Sequence, residues 1–188
     1  LDAMSRTHAH QGVIALSSVR EYASVEDILQ AARDKGEAPL LVVCDELSDP
    51  HNLGAVIRTA ECAGAHGVII PKRRSAGLTA VVAKTSAGAV AHVPVARVPN
   101  LPALLEELKQ RGIWVFGTAA DGSTPLYGAD LKGPAAIVIG SEGGGMGRLV
   151  AQRCDFLVSI PMRGKLNSLN ASAAAAIMLY EAVRQRMA

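Results

Sequence analysis

Short apolar runs recur along the chain at close to regular intervals, and segments of helical periodicity fill the spaces between them. The runs are LLVVC (40–44), GVIIP (67–71), AHVPVARV (91–98), IWVFGTA (113–119), AAIVIG (135–140) and FLVSIP (156–161). Helices are expected over 52–63, 78–87, 101–111, 146–153 and 170–187, with an earlier one over 25–35 that closes on Gly36. Continuously apolar strands alternating with helices specify an α/β fold, a parallel sheet covered on both faces. The expected organisation is one such domain over 38–188, preceded by an extension over 1–37 that carries a single helix.

Composition narrows the function classes. Hydrophobic residues make up 49% of the chain and aromatics only 3%, so the interior is built from Ala, Val, Leu and Ile, and disorder is excluded. Charges or glycines interrupt every apolar run well short of the ~18 residues that a membrane span needs, so no membrane partner is expected. The polar N-terminus LDAMSRTHAHQG has no signal-peptide character. Cys44, Cys62 and Cys154 are widely spaced and form no CxxC pair, which points to a reducing cytoplasm and to no metal site. A net charge of +2 permits RNA binding only through local patches.

In an open α/β sheet, ligands sit beyond the carboxyl ends of the strands. Glycine, polar and basic residues concentrate in the segments that follow them. GSEGGGMG (140–147) is no P-loop, since no GK[ST] closes it, and it does not match GxGxxG. It is either a flexible turn or a backbone ledge on which a flat ligand such as adenine can lie. Glu142 within it would repel phosphate, which argues against nucleoside triphosphates. The missing GxGxxG also argues against a dehydrogenase.

In SDPHNLGAVIRTAECAGA (48–65), Asn52 follows Pro50 as an N-cap or sits in the loop above the helix. Arg58 lies six residues on, around the helix from it, and is expected to point into the cleft. On an otherwise apolar helix, its guanidinium fork suits an anionic partner such as phosphate. Lys72, Arg73 and Arg74 form a basic run that is either a solvated loop or a grip on a nucleic-acid backbone. His51 and His66 have no second ligand at metal spacing. Polar Lys165, Asn167, Ser168 and Asn170 crowd the entrance of the final apolar helix, as a cap, as a wall of the site, or as both.

Three segments together resemble the SpoU (TrmH) family of RNA ribose 2′-O-methyltransferases: NLGAVIRTAECAGA, IVIGSEGGGM and IPMRGKLNSLNASAAAAIMLYEA, in the family's order and spacing. HAHQGVIA (8–15) also resembles the linker before the catalytic domain in members that methylate a guanosine of 23S ribosomal RNA. Departures are mild. Lys165, Leu166 and Asn167 replace a more apolar spacer, and Gly145 adds a third glycine to the second motif. The small N-terminal RNA-binding domain common in that subgroup has no counterpart here, so the chain resembles the catalytic domain or a short member.

The resemblance implies a SPOUT fold, whose C-terminal segment threads a loop to make a trefoil knot. Periodicity cannot foresee such a knot, because threaded connections are rare. It implies S-adenosylmethionine as cofactor, a homodimer with each active site built across the interface, and RNA as partner. The expected substrate, from the resemblance of HAHQGVIA, is a guanosine of 23S ribosomal RNA, with transfer RNA or a non-catalytic RNA-binding module as alternatives. Carried over, Gly140, Ile160 and Leu169 would contact the cofactor, with Thr118, Met162 and Ser172 as neighbours. Arg58 would serve the ribose hydroxyl; because a guanidinium stays protonated in proteins, it would bind phosphate and orient the hydroxyl. Asn52 would hold the substrate or Arg58, Glu142 would fix either of them, and Ser168 and Asn170 would position cofactor and ribose.

Overall fold

A computed structural model describes residues 21–188, so the linker-like HAHQGVIA lies outside the described residues. Seven strands form one sheet in which every pairing is parallel: β1 (Leu40–Cys44), β2 (Gly67–Pro71), β3 (Val95–Val98), β4 (Trp114–Thr118), β5 (Thr124–Pro125), β6 (Ala135–Ile139) and β7 (Phe156–Ser159). Their order across the sheet is β3-β2-β1-β6-β4-β7-β5. The helices are α1 (Val25–Lys35), α2 (Pro50–Cys62), α3 (Ala80–Thr85), α4 (Leu101–Gln110), α5 (Arg148–Arg153) and α6 (Ala171–Arg186).

Strand alternation divides the core between the two faces of the sheet. Leu40, Val42 and Cys44 of β1 face one cluster, with Val56 and Ile57 of α2 and Met178 and Leu179 of α6. Leu41 and Val43 face the other, with Ile28 and Leu29 of α1 and Leu104, Leu105 and Leu108 of α4. Every residue of β1 and of β6 is buried, which explains why both read as continuous apolar runs. Helix α1 therefore packs into the same core as the sheet. It starts with a reciprocal capping box between Ser24 and Asp27 and ends at Gly36 in the left-handed conformation (φ 66°), as its sequence predicts.

Departures from the expected elements have local causes. The run 91–98 divides into a short 3-10 turn, Ala89–Ala91, and a strand that begins only after Pro94, which has no N–H for the ladder. Strand β5, at two residues, is too short to leave a periodic signal. Helix α2 begins at Pro50, capped by Asp49, whose carboxylate accepts a hydrogen bond from the His51 N–H at 2.9 Å. Proline suits the first helical position, because its missing N–H would have no partner there. Asn52 is therefore neither the cap nor a loop residue. It lies inside the first turn, and its side chain is free for other work.

The C-terminal end of α6 is tied down by side chains that bond to backbone. Arg186 donates to the carbonyls of Ala38 (2.8 Å), Pro39 (3.1 Å), Leu131 (3.1 Å) and Gly133 (2.6 Å). Gln185 accepts from the Leu131 N–H at 2.8 Å and donates to the Ala129 carbonyl at 2.9 Å. These bonds satisfy backbone groups of the 129–133 connection that would otherwise be orphaned, and they fix the helix whose other end enters the site.

Candidate active site

The strand order reverses between β1, whose successor β2 lies on one side, and β6, which lies on the other. Asn52 follows β1 and Glu142 follows β6, so both fall at this switch point beyond the carboxyl ends of the strands. Asn170, the residue before α6, completes the group. The Asn52 amide donates to Glu142 Oε1 at 2.9 Å, and the Asn170 amide donates to Asn52 Oδ1 at 3.0 Å and also to Glu142 Oε1.

Capping sets the direction of this network. Asn170 Oδ1 accepts from the backbone N–H groups of Ser172 (2.9 Å) and Ala173 (3.3 Å) and from the Ser172 hydroxyl (2.6 Å). With its oxygen committed to the helix start, the Asn170 amide must turn its nitrogen outward. That nitrogen engages the oxygen of Asn52, which leaves the Asn52 nitrogen for the carboxylate. The residue that caps α6 thus also orients two side chains from distant parts of the chain.

The network borders a cleft of about 780 Å³, lined by residues 118–121, 139–146, 157–158, Ile160, Met162 and 167–171. That volume falls in the range of small-ligand sites. Its floor is the turn 140–147. Ser141 and Gly145 exchange backbone hydrogen bonds (Ser141 N–H to Gly145 O at 2.9 Å, and Gly145 N–H to Ser141 O at 3.0 Å), with Gly143 and Gly145 at positive φ. A Cβ on Gly140 would stand 2.3 Å from the Gly145 carbonyl carbon, so the turn closes only over a bare backbone. Just beyond it, Asp45 Oδ2 accepts the Gly147 N–H at 2.7 Å, and burial pushes the Asp45 carboxyl above its usual range. Burial likewise pushes the Cys154 thiol up to about 12, so it is no nucleophile.

The structure gathers most, but not all, of the expected site residues. Thr118, Gly140, Glu142, Ile160, Met162, Ser168, Leu169 and Asn170 all line the cleft, and Asn52 stands behind it, buried. Thr118 donates its hydroxyl to the Val138 carbonyl at 3.0 Å, which ties the end of β4 to β6. Ser172 does not border the cleft; it supports Asn170 instead. Arg58 does not point into it either. It is exposed, with no hydrogen bond or ion pair among the described residues, because the six-residue step from Asn52 carries it around α2. Lys72, Arg73 and Arg74 are exposed on the loop after β2, with Arg74 paired to Glu46 at 2.9 Å.

Two contributors take no role from the sequence, Asp121 with no signal beyond its place after a strand and Met146 at the end of the second resembling segment. Asp121 and Met146 both line the cleft. Asp121 and Glu142 are the only charged residues of its lining among the described residues, and both are acidic. A cleft of this kind accepts a cationic or neutral ligand and disfavours a triphosphate. It combines apolar walls (Ile139, Leu157, Ile160, Leu169) with a glycine ledge, which suits the adenine, thioether-like chain and positive charge of S-adenosylmethionine.

Comparison with known proteins agrees with this geometry. The SpoU rRNA Methylase family model matches residues 39–180. YacO of Bacillus subtilis (strain 168), named as a TrmH family tRNA/rRNA methyltransferase, is 55% identical over 180 residues, which cover 96% of this chain and 72% of that protein. The SpoU methyltransferase AviRb from Streptomyces viridochromogenes, solved in complex with AdoMet, superposes with a TM-score of 0.76 at 34% identity, covering 80% of this chain and 59% of the other. An AdoMet-bound rRNA methyltransferase from Sinorhizobium meliloti gives a TM-score of 0.73 at 31% identity, covering 88% and 61%. The chain thus spans less than two thirds of either solved protein. With the three motifs joined through Asn52, Glu142 and Asn170 and a family model spanning most of its length, the chain belongs to the SpoU family of RNA methyltransferases.

Proposed function

We propose that this chain transfers a methyl group from S-adenosylmethionine to a ribose 2′-hydroxyl of structured RNA, a guanosine of 23S ribosomal RNA being the favoured target. The observation that carries this reading is the Asn52–Glu142–Asn170 network, through which buried Asn52 holds two residues that line an acidic cleft. Gly140, Ile160 and Leu169 would hold the cofactor, with Thr118 and Met162 beside them and Ser172 acting through Asn170. When bound, the cofactor supplies a methyl group activated by its sulfonium charge.

The residues of the chain would then supply position and charge. In-line transfer needs the hydroxyl held within near-attack distance, and such positioning lowers barriers by several kcal/mol, roughly 7–11 at best. Glu142 Oε1 is held by both asparagine amides, while Oε2 has no hydrogen-bond partner among the described residues and can accept a hydrogen bond from the ribose hydroxyl. Ser168 would contact the ribose, and Arg58 would bind the adjoining phosphate. Lys72, Arg73 and Arg74 would hold the RNA backbone further out.

The remaining parts of the reading rest on the same surfaces. A trefoil knot is supported by β7, which lies between β4 and β5 while the loop joining those two strands packs on its backbone: a Cβ on Gly122 would meet the Leu157 carbonyl oxygen at 2.6 Å. A homodimer is supported by the segment 161–170, every residue of which is exposed, including Leu166 at 81%. In such a dimer an exposed Arg58 could serve a cleft shared across the interface. A reducing cytoplasm agrees with three unpaired cysteines.

The test has two parts. Isothermal titration with S-adenosylmethionine should give saturable binding, and no binding would overturn the cofactor assignment. Mapping 2′-O-methyl groups in RNA from a strain lacking the protein should reveal one missing guanosine in 23S ribosomal RNA. A missing site in transfer RNA would instead move the chain to that substrate class.

A further inference from the structure

A second groove lies on the far side of the glycine turn. Its volume is about 370 Å³, and it runs between the loops after β1, β2 and β3 and the start of α5. The two clefts share a wall, since Val150 borders this groove and the next residue, Ala151, borders the cofactor cleft. Pro71, Pro99, Pro102 and Leu149 supply flat or apolar surface, and Leu149 is 59% exposed.

Arginines flank this apolar surface. Arg73, Arg74 and Arg148 all border the groove, as do two carboxylates already engaged within the chain, Asp45 by the Gly147 N–H and Glu46 by Arg74. Arg73 and Arg148 are exposed and make no hydrogen bond or ion pair among the described residues. The loop that carries Arg73 is anchored from both sides. Arg97 donates to the Lys72 carbonyl at 2.8 Å while lying over the Tyr22 ring, and Arg74 pairs with Glu46. A fixed loop that presents an unpaired guanidinium meets an anion without the cost of ordering its backbone.

Resting on the RNA-methyltransferase reading, we infer that this groove binds one unpaired nucleotide of the substrate RNA close to the methylated one. Its base would lie against the prolines and Leu149, and its phosphates would bridge Arg73 and Arg148. Apolar surface flanked by arginines is the usual chemistry of single-strand binding, in which base faces are covered and phosphates are neutralised. Continuity with the catalytic cleft through the 140–150 segment places such a nucleotide within a short step of the reacting ribose. The groove thus selects an unstacked loop or bulge over a continuous duplex.

The test measures affinity of the intact protein for a labelled single-stranded RNA of about twelve nucleotides, alongside calorimetric S-adenosylmethionine binding by the same samples. R73E and R148E should each weaken RNA binding at least about fivefold and lower the salt slope by about 0.7. L149S should weaken it about threefold with the slope unchanged, because a base contact releases no counterions. K132E, at an exposed lysine just before the opposite end of the sheet, should bind RNA as wild type does. Wild-type affinity in all three groove variants would overturn the proposal, as would an equal loss in K132E or equally groove-dependent binding of a polyglutamate peptide. Such a result with cofactor binding intact would leave the methyltransferase reading standing. Groove-dependent RNA binding without any cofactor binding would support the groove and remove that reading.

Discussion

Asn170 donates a hydrogen bond to Asn52 across 3.0 Å of space and 118 positions of sequence. The contact joins the start of the last helix to the first turn of α2, with Glu142 receiving from both residues. Capping and site geometry can be separated by choice of substitution. Asn170→Ser keeps a side-chain cap but cannot span to Asn52. It should cost only about 1 kcal/mol of stability, for the carbonyl left unpaired on Asn52, yet reduce single-turnover methylation about 100-fold. Asn170→Ala should lose about 1 kcal/mol more, by removing the cap. Denaturant titration and single-turnover assays read the two effects. Unchanged turnover in Asn170→Ser would reduce the residue to a cap.

Arg58 has no intramolecular partner among the described residues, and that makes an unusually clean experiment possible. Arg58→Ala should leave unfolding free energy within about 0.5 kcal/mol of wild type. Cofactor affinity, by calorimetry, should likewise be unchanged. Methylation should be lost, and Arg58→Lys should recover little of it, since a point charge does not reproduce a bidentate phosphate contact. Persistent turnover in Arg58→Ala would remove the residue from the mechanism.

The glycine turn separates steric demand from conformational demand. Gly140→Ala places a methyl group 2.3 Å from the Gly145 backbone, which cannot move without opening the turn. A loss of about 3 kcal/mol or more is expected, together with loss of S-adenosylmethionine binding. Gly143 has open space around it but φ of +85°. Gly143→Ala should cost only about 1–2 kcal/mol and should retain measurable cofactor affinity. Thermal melts and calorimetry on the pair would reveal whether the ledge depends on shape or on flexibility.

Glu181 predicts an acid-dependent stability. Hydrogen bonds from Arg184 and then from Gln185 hold its carboxyl down at about 2, against an ordinary 4.5. The folded state therefore holds this proton more weakly than the unfolded chain does. The stabilisation is fully present above pH 4.5 and disappears as pH falls through about 2. Arg184 is 66% exposed, so water screens the pair, and about 1 kcal/mol is a fair magnitude. Glu181→Gln should lower stability by that amount at pH 7 and flatten the fall between pH 4.5 and 2 in urea titrations.

Legibility of the fold followed the strength of local signals. β1 and β2 are bounded where their apolar runs begin and end, and α1 where its cap residues stand. β5 leaves no signal because two residues cannot show a period, and α2 begins earlier than its periodicity suggests because Asp49, rather than Asn52, caps it. For the site, residue type and position after a strand marked Glu142 and Asn170 as candidates. The family resemblance offers Asn52 or Arg58 as the partner of Glu142, and only packing across the sheet decides for Asn52 and adds Asn170 to the pair. Chemistry and the family resemblance both point Arg58 into the cleft, whereas its position around α2 leaves it exposed outside the cleft.

The insertion of β7 between β4 and β5 also governs the order in which the molecule can be finished. β5 pairs with no strand but β7 among the described residues, so it must wait for residues that a ribosome delivers much later. Synthesis proceeds N-terminus first at about 5–20 residues per second, and the cleft borrows its last wall from 167–171. A nascent chain that stops short of Asn170 thus has neither a complete pocket nor a capped final helix. Closure of the cleft therefore waits on the segment that leads into α6, however early the sheet that supports it is made.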